Sequence, residues 1–110
     1  MSASSGSGDL EISIEHYVRD WQATPHVLLD VREQDEWDAG HAGTATLIPL
    51  GDLESRVGEL DSAMPIAIIC RSGRRSFVAA EYLKSLGFVN PVSVAGGMIA
   101  WVQAGHPVVG

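Results

Sequence analysis

The chain has one cysteine, Cys70, and the six residues after it are Arg71, Ser72, Gly73, Arg74, Arg75 and Ser76. Three of its seven basic residues therefore follow its only thiol almost at once. A thiol acts as a nucleophile only when ionised, so its surroundings decide what it can do. IAIIC at 66–70 reads as a buried strand and the periodic stretch after Arg75 as a helix. In an open α/β sheet, ligands bind outside the carboxyl ends of strands, where loops and helix starts converge. A loop this short must curl around the sulfur, and Gly73 lets the backbone turn with N–H groups facing inward, which makes an anion nest. The free N–H groups of the first helical turn add roughly half a positive charge. Arg71, Arg74 and Arg75 add a cationic rim.

Ionisation by itself gains little. Lowering a thiol from pKa about 8.5 to about 6.5 raises the thiolate fraction at pH 7 about 25-fold. The accompanying loss of nucleophilicity removes roughly 10-fold of that. The larger effect expected of the loop is to hold negative charge that develops on sulfur, as an oxyanion hole does for oxygen. The opposing reading is a buried cysteine serving as a small hydrophobe. A strand end, a glycine loop, clustered arginines and a helix start weigh against it together.

The elements that must position this loop read as an α/β layout. Residues 1–8, MSASSGSG, read as a flexible leader, and residues 9–110 as one domain, since 110 residues suit a single core. With 45% hydrophobic and 19% charged residues the chain is far from disordered composition. Strands are expected at 10–13, 27–31, 45–48, 66–70 and 92–95. VLLDV and IAIIC are continuous enough for central strands of a parallel sheet covered on both faces. Helices are expected at 14–21, 53–60, 75–86 and 97–104, with a short turn at 33–38. In the helix after Cys70, Val78, Ala79, Tyr82, Leu83 and Leu86 share one face, which should pack on the sheet. Gly87 provides its left-handed end and Phe88 folds back onto the last turn.

The totals also exclude classes of partner. A formal net charge of -7 argues against nucleic acid and anionic membranes, both of which need a basic surface. His16, His26, His41 and His106 have no zinc-ligand spacing to each other or to Cys70, so no metal is expected. A start without a basic or apolar signal region, and no apolar run near the roughly 20 residues of a membrane span, point to the cytoplasm.

Four blocks carry a resemblance: LLDVRE at 28–33 with Glu36 and Trp37, GHAGTATLIPL at 40–50, CRSGRRS at 70–76 and GGMIAWVQAGHPV at 96–108. Together they resemble the rhodanese domain across nearly the whole chain after the leader. The resemblance implies a three-layer α/β/α fold whose five-stranded parallel sheet has the order 3-2-4-5-1. It implies a sulfurtransferase without a cofactor. Cys70 would take sulfur from thiosulfate or a similar small anionic donor, hold it as a persulfide against the loop, and pass it to cyanide or a thiol in a ping-pong cycle. Arg71, Ser72, Gly73, Arg74, Arg75 and Ser76 would bind the substrate. The alternative is a sulfur carrier or interaction module loaded by a protein donor, with little thiosulfate turnover. With no second cysteine, the sulfur must leave to an external acceptor.

The same fold resembles that of some cell-cycle phosphatases and arsenate reductases, whose loop has five residues between cysteine and arginine. Here four residues, 71–74, precede Arg75, and the next position is Ser76, so a tetrahedral oxyanion fits poorly. Ala42 and Thr44 depart from the family pattern only where packing is concerned.

Other residues read structurally. Asp30 and Arg32 lie on the edge of the sheet that carries Cys70 and could support the pocket. An ion pair among Asp30, Arg32 and Glu36 that orders the neighbouring loop is the stronger account. His41 is expected to hydrogen-bond backbone, Trp37 and Trp101 to be core aromatics, and Trp21 to cover the sheet's edge.

Overall fold

The computed structural model describes residues 10–110. The leader expected at 1–8 lies outside the described residues. Five parallel strands form one sheet: β1 (Glu11–Ile12), β2 (Val27–Asp30), β3 (Thr46–Leu47), β4 (Ile66–Ile69) and β5 (Pro91–Val94). Their order is β1-β5-β4-β2-β3, the implied order read from the other edge. β4 lies in the middle, with Ile69 opposite Asp30 of β2 and Ile68 opposite Ser93 of β5.

Central placement explains the apolar run of β4. Ile66, Ile68 and Cys70 point to one face, where they meet Leu53, Ala79, Ala80, Leu83 and Phe88. Ala67 and Ile69 point to the other, where they meet Ile14, Tyr17, Met98 and Trp101. Alternate residues thus serve two separate cores, and neither face is left to water. Each fully buried Ile or Leu contributes about 1.5–3 kcal/mol through apolar burial.

The helices follow the strands with local adjustments. α1 (Ile14–His16), capped by the Ser13 hydroxyl on His16 N–H at 3.0 Å, continues as a π-helical turn over Tyr17–Trp21. The expected turn at 33–38 is a helix, α2 (Gln34–Asp38), closed at its start by a reciprocal cap between Glu33 and Glu36. α3 (Leu53–Arg56) is flanked by 3₁₀ turns at Leu50–Asp52 and Val57–Glu59. α4 (Arg74–Ser85) and α5 (Gly97–Gln103) cover opposite faces.

The packed face of α4 differs from the sequence expectation. Ser76, Ala79, Ala80 and Leu83 are buried, whereas Val78 is 52% and Leu86 48% exposed. At about 100° per residue, Val78 lies nearly opposite the centre of that face, and Leu86 stands at the C-terminal cap. Small residues let the helix lie close on the sheet. The end is as expected: Gly87 takes φ +91, and Phe88 N–H reaches the Leu83 carbonyl at 3.1 Å. Trp101 is a core residue whose indole donates to the Pro107 carbonyl at 2.9 Å. Trp21 joins the core beside α1, beyond mere edge cover. Trp37 is not a core residue. It is half-buried and stacked on His41 with ring centroids 3.5 Å apart, and His41 Nδ1 contacts the Trp37 carbonyl at 2.9 Å.

Candidate active site

Cys70 follows the last residue of β4, and the chain leaves the sheet through Arg71, Ser72 and Gly73 before α4 begins. Two of the loop's carbonyls are fixed from behind. Met98 N–H donates to the Cys70 carbonyl at 2.8 Å and Ile99 N–H to the Arg71 carbonyl at 3.1 Å. In a trans peptide the next N–H points opposite its carbonyl. Anchoring these carbonyls on the first turn of α5 therefore turns the Arg71 and Ser72 amides away from that helix.

That anchoring requires glycine. A Cβ on Gly97, which has φ +53, would strike the Cys70 carbonyl oxygen and come within 2.7 Å of the Arg71 carbonyl. Gly96 also has positive φ, +79, and Gly73 has φ +105 at the start of α4. In the sequence Gly96 and Gly97 stand out only as part of a resemblance block, with no expected part in the loop. Their signal was available: two glycines between an apolar strand and a helix mark a close backbone approach.

The amides reach the sulfur. Gly73 N–H donates to Cys70 Sγ at 3.1 Å, and Ser76 Oγ lies 3.4 Å from Sγ. Burial pushes the thiol up, but hydrogen bonds from the Ser76 hydroxyl and the Ser76, Gly73 and Ser72 amides outweigh it. The thiol ends below its ordinary value. Cys70 belongs to the buried hydrophobic cluster that includes Leu29, Val31, Ile48 and Ile68, and has no exposed surface. α4 has no side-chain cap, so its first-turn amides stay free of a competing carboxylate or hydroxyl at the cap position.

The arginines divide. Arg71 and Arg74 are exposed and, among the described residues, pair with no carboxylate. Arg75 lines the cleft beside the loop but is not a free cation. Its guanidinium makes two bonds to Glu36, at 2.7 and 2.9 Å, which hold the Glu36 carboxyl down at about 2. The expected three-way pairing of Asp30, Arg32 and Glu36 thus splits in two. Asp30 and Arg32, both buried, form their own two-pronged pair at 3.0 and 2.9 Å, and Arg32 reaches Glu36 only through its backbone carbonyl at 3.3 Å. Arg32 also holds the Gly40 carbonyl at 2.9 Å, so the pair ties the end of α2 to β2.

Two clefts flank the loop. One, of about 560 Å³, is walled by Leu50, Ser72, Gly73, Arg74, Arg75 and Phe77. The other, of about 470 Å³, runs between Arg71, Arg32 and Glu36 on one side and Ile99 and Val102 of α5 on the other. Among the described residues no group of three His, Cys, Asp or Glu side chains could hold a metal ion. No helix among them is long and apolar enough to cross a membrane. What the arrangement offers chemically is an ionisable sulfur under converging backbone donors, with two cations beside it, Arg71 and Arg74, that are free among the described residues.

The chain belongs to the rhodanese-like domain family, whose model matches residues 15–104. Over 101 residues it is 39% identical to the "Putative sulfur carrier protein YrkF" of Bacillus subtilis (strain 168), covering 91% of this chain and 55% of that protein. It thus spans little more than half the length of this relative. Over 83 residues it is 34% identical to a "Sulfurtransferase" of Allochromatium vinosum, covering 76% of this chain and 78% of that one. Among solved structures, a rhodanese-related protein from Thermoplasma volcanium has a TM-score of 0.82 at 34% identity, covering 91% of this chain and 97% of that one.

Proposed function

We propose that this chain moves sulfane sulfur from thiosulfate or a similar small anionic donor to cyanide or a thiol, carrying it as a persulfide on Cys70. The Cys70 thiolate attacks the outer sulfur of thiosulfate, the S–S bond to the sulfonate breaks, and sulfite leaves with the bonding pair. The terminal persulfide sulfur carries the negative charge, which Gly73 N–H and its neighbouring amides are turned to receive. Cyanide or a thiolate then attacks that sulfur and Cys70 leaves as thiolate, so each step conserves charge. The observation that carries this reading is the Gly73 N–H on Sγ at 3.1 Å, in a loop whose carbonyls are held outward by α5. Arg71 and Arg74, which pair with no carboxylate among the described residues, support a small anion as the donor on a chain of net charge -7. Asp30 and Arg32 support the loop after β2 and take no part in the chemistry. A thiol cycle of this kind suits a reducing compartment such as the cytoplasm.

The test is thiocyanate formation from thiosulfate and cyanide. Wild type should turn over, and Cys70→Ala should abolish activity, a loss of more than about 1,000-fold. Intact mass should rise by about 32 Da, one sulfur atom, on incubation with thiosulfate alone. Wild-type activity no higher than Cys70→Ala would sink the thiosulfate reading.

A second reading, a carrier loaded by a protein donor, draws on the full burial of Cys70 and on the apolar Ile99 and Val102 beside Arg71. The Bacillus relative's printed name is that of a sulfur carrier. Rapid loading by a desulfurase with negligible thiosulfate use would favour this reading.

A further inference from the structure

Ser93 is the one polar residue of β5, and it is completely buried. Its neighbours Val92 and Val94 face the core under α1 and α5. Ser93 faces α4 instead, where its hydroxyl lies 2.7 Å from Ser76 Oγ and 3.4 Å from the Gly73 carbonyl. Ser76 Oγ is in turn 3.4 Å from Cys70 Sγ. Three groups, sulfur and two hydroxyls, thus form a buried chain that ends on the carbonyl of the residue whose amide binds the sulfur.

Each hydroxyl has a single proton, so the chain has two registers. When Cys70 is a thiolate, the sulfur has no proton to give and Ser76 must donate to it. The short Ser76–Ser93 contact is then a bond only if Ser93 donates to Ser76. When the thiol is neutral, it donates to Ser76, Ser76 donates to Ser93, and Ser93 donates to the Gly73 carbonyl. No proton need enter or leave the two serines in passing from one register to the other. The hydroxyls only rotate, while the thiol proton itself departs to solvent or base.

We propose that Ser93 is a positioning residue for Cys70: by donating to Ser76 it holds the Ser76 proton on the ionised sulfur, and it swings to the Gly73 carbonyl when the sulfur is protonated. A hydrocarbon here would satisfy packing at lower cost, since a buried hydroxyl is unfavourable unless bonded. A donor behind a donor strengthens the bond to the anion, because successive hydrogen bonds polarise one another. The other charged groups about the thiol come from the loop and α4 (Arg71, Arg74, Arg75), from the end of β2 and its loop (Asp30, Arg32), from α2 (Glu36 through Arg75), and from β1, whose Glu11 pairs in register with Ser93 and lines the cleft beside Gly73. β5 and α5 bring no charged residue.

The inference rests on the reading of Cys70 as the working nucleophile but is tested with no sulfur donor present. The thiol is titrated by thiolate absorbance and by the pH dependence of iodoacetamide alkylation. Ser93→Ala should reduce the thiolate fraction below the midpoint about threefold, moving the midpoint up. Ser76→Ala should move it further, and Ser93→Ala should add nothing in the Ser76→Ala background. Ser93→Thr, which keeps the hydroxyl, should titrate as wild type, and thermal unfolding is followed alongside for each variant. An unchanged titration in Ser93→Ala, an equal shift in both backgrounds, or a Thr variant that behaves like Ala would overturn the proposal. Failure of wild type to gain sulfur from any donor would instead overturn the functional reading and leave these titrations standing.

Discussion

After β2 the chain turns through Val31, Arg32 and Glu33 into α2; after the adjacent β4 it turns through Cys70, Arg71, Ser72 and Gly73 into α4. Both loops leave the same edge of the sheet, and both start from a buried polar or polarisable group, Asp30 in one and Cys70 in the other. After β2 every such group is spent locally. Asp30 is taken by Arg32, and the start of α2 is closed by its own glutamates. After β4 the helix start has glycine and no side-chain cap, and the amides fall to the sulfur. A strand-to-helix turn becomes a site for chemistry when side chains leave the backbone donors unclaimed.

Asp30→Asn should have the largest effect of the substitutions that test this contrast. It leaves the Arg32 guanidinium buried without its counter-charge, which should destabilise the fold by about 3–5 kcal/mol in urea unfolding. The thiol titration of the folded fraction should stay near wild type. A shift of the thiol midpoint as large as that of Ser76→Ala would show that the two loops are not separate devices.

Gly97→Ala should come next. The methyl meets the Cys70 carbonyl and requires positive φ, so α5 must move off the loop. We expect a stability loss of about 2–3 kcal/mol. The thiol should also titrate higher, because the amides are no longer turned inward. Wild-type alkylation rates in Gly97→Ala would show that the loop holds its shape without α5.

Glu36→Gln should have the smallest effect, about 1 kcal/mol for a half-exposed ion pair. Its sign with pH is fixed. Glu36 is held at about 2 in the folded chain against an ordinary value of 4.5, so the pair's stabilisation is fully present above pH 4.5 and disappears as pH falls toward 2. The wild-type and Gln variant unfolding curves should therefore converge through that window. A gap that persists at pH 2 would mean Glu36 acts by packing.

What the sequence made legible was the contiguous part of the site. Cys70, Gly73 and Ser76 lie within one turn and one helix start, so their order alone implied the nest. The continuous apolar run of IAIIC likewise placed β4 in the centre. Pairings across the chain were not legible. Nothing in the composition tells Glu36 to choose Arg75, 39 positions away, over Arg32, 4 positions away. That choice follows from where α2 lands against α4. The same holds for Ser93, whose only mark was one polar letter in an apolar strand, and for Trp37, whose stack on His41 depends on how α2 ends.

The bonds from Met98 and Ile99 to the loop also set a timetable. A polypeptide emerging from the ribosome presents Cys70 well before the first turn of α5 exists. Until that later segment docks, the carbonyls behind the thiol have no partner and its amides no fixed direction. The nucleophile is therefore synthesised before the segment that equips it.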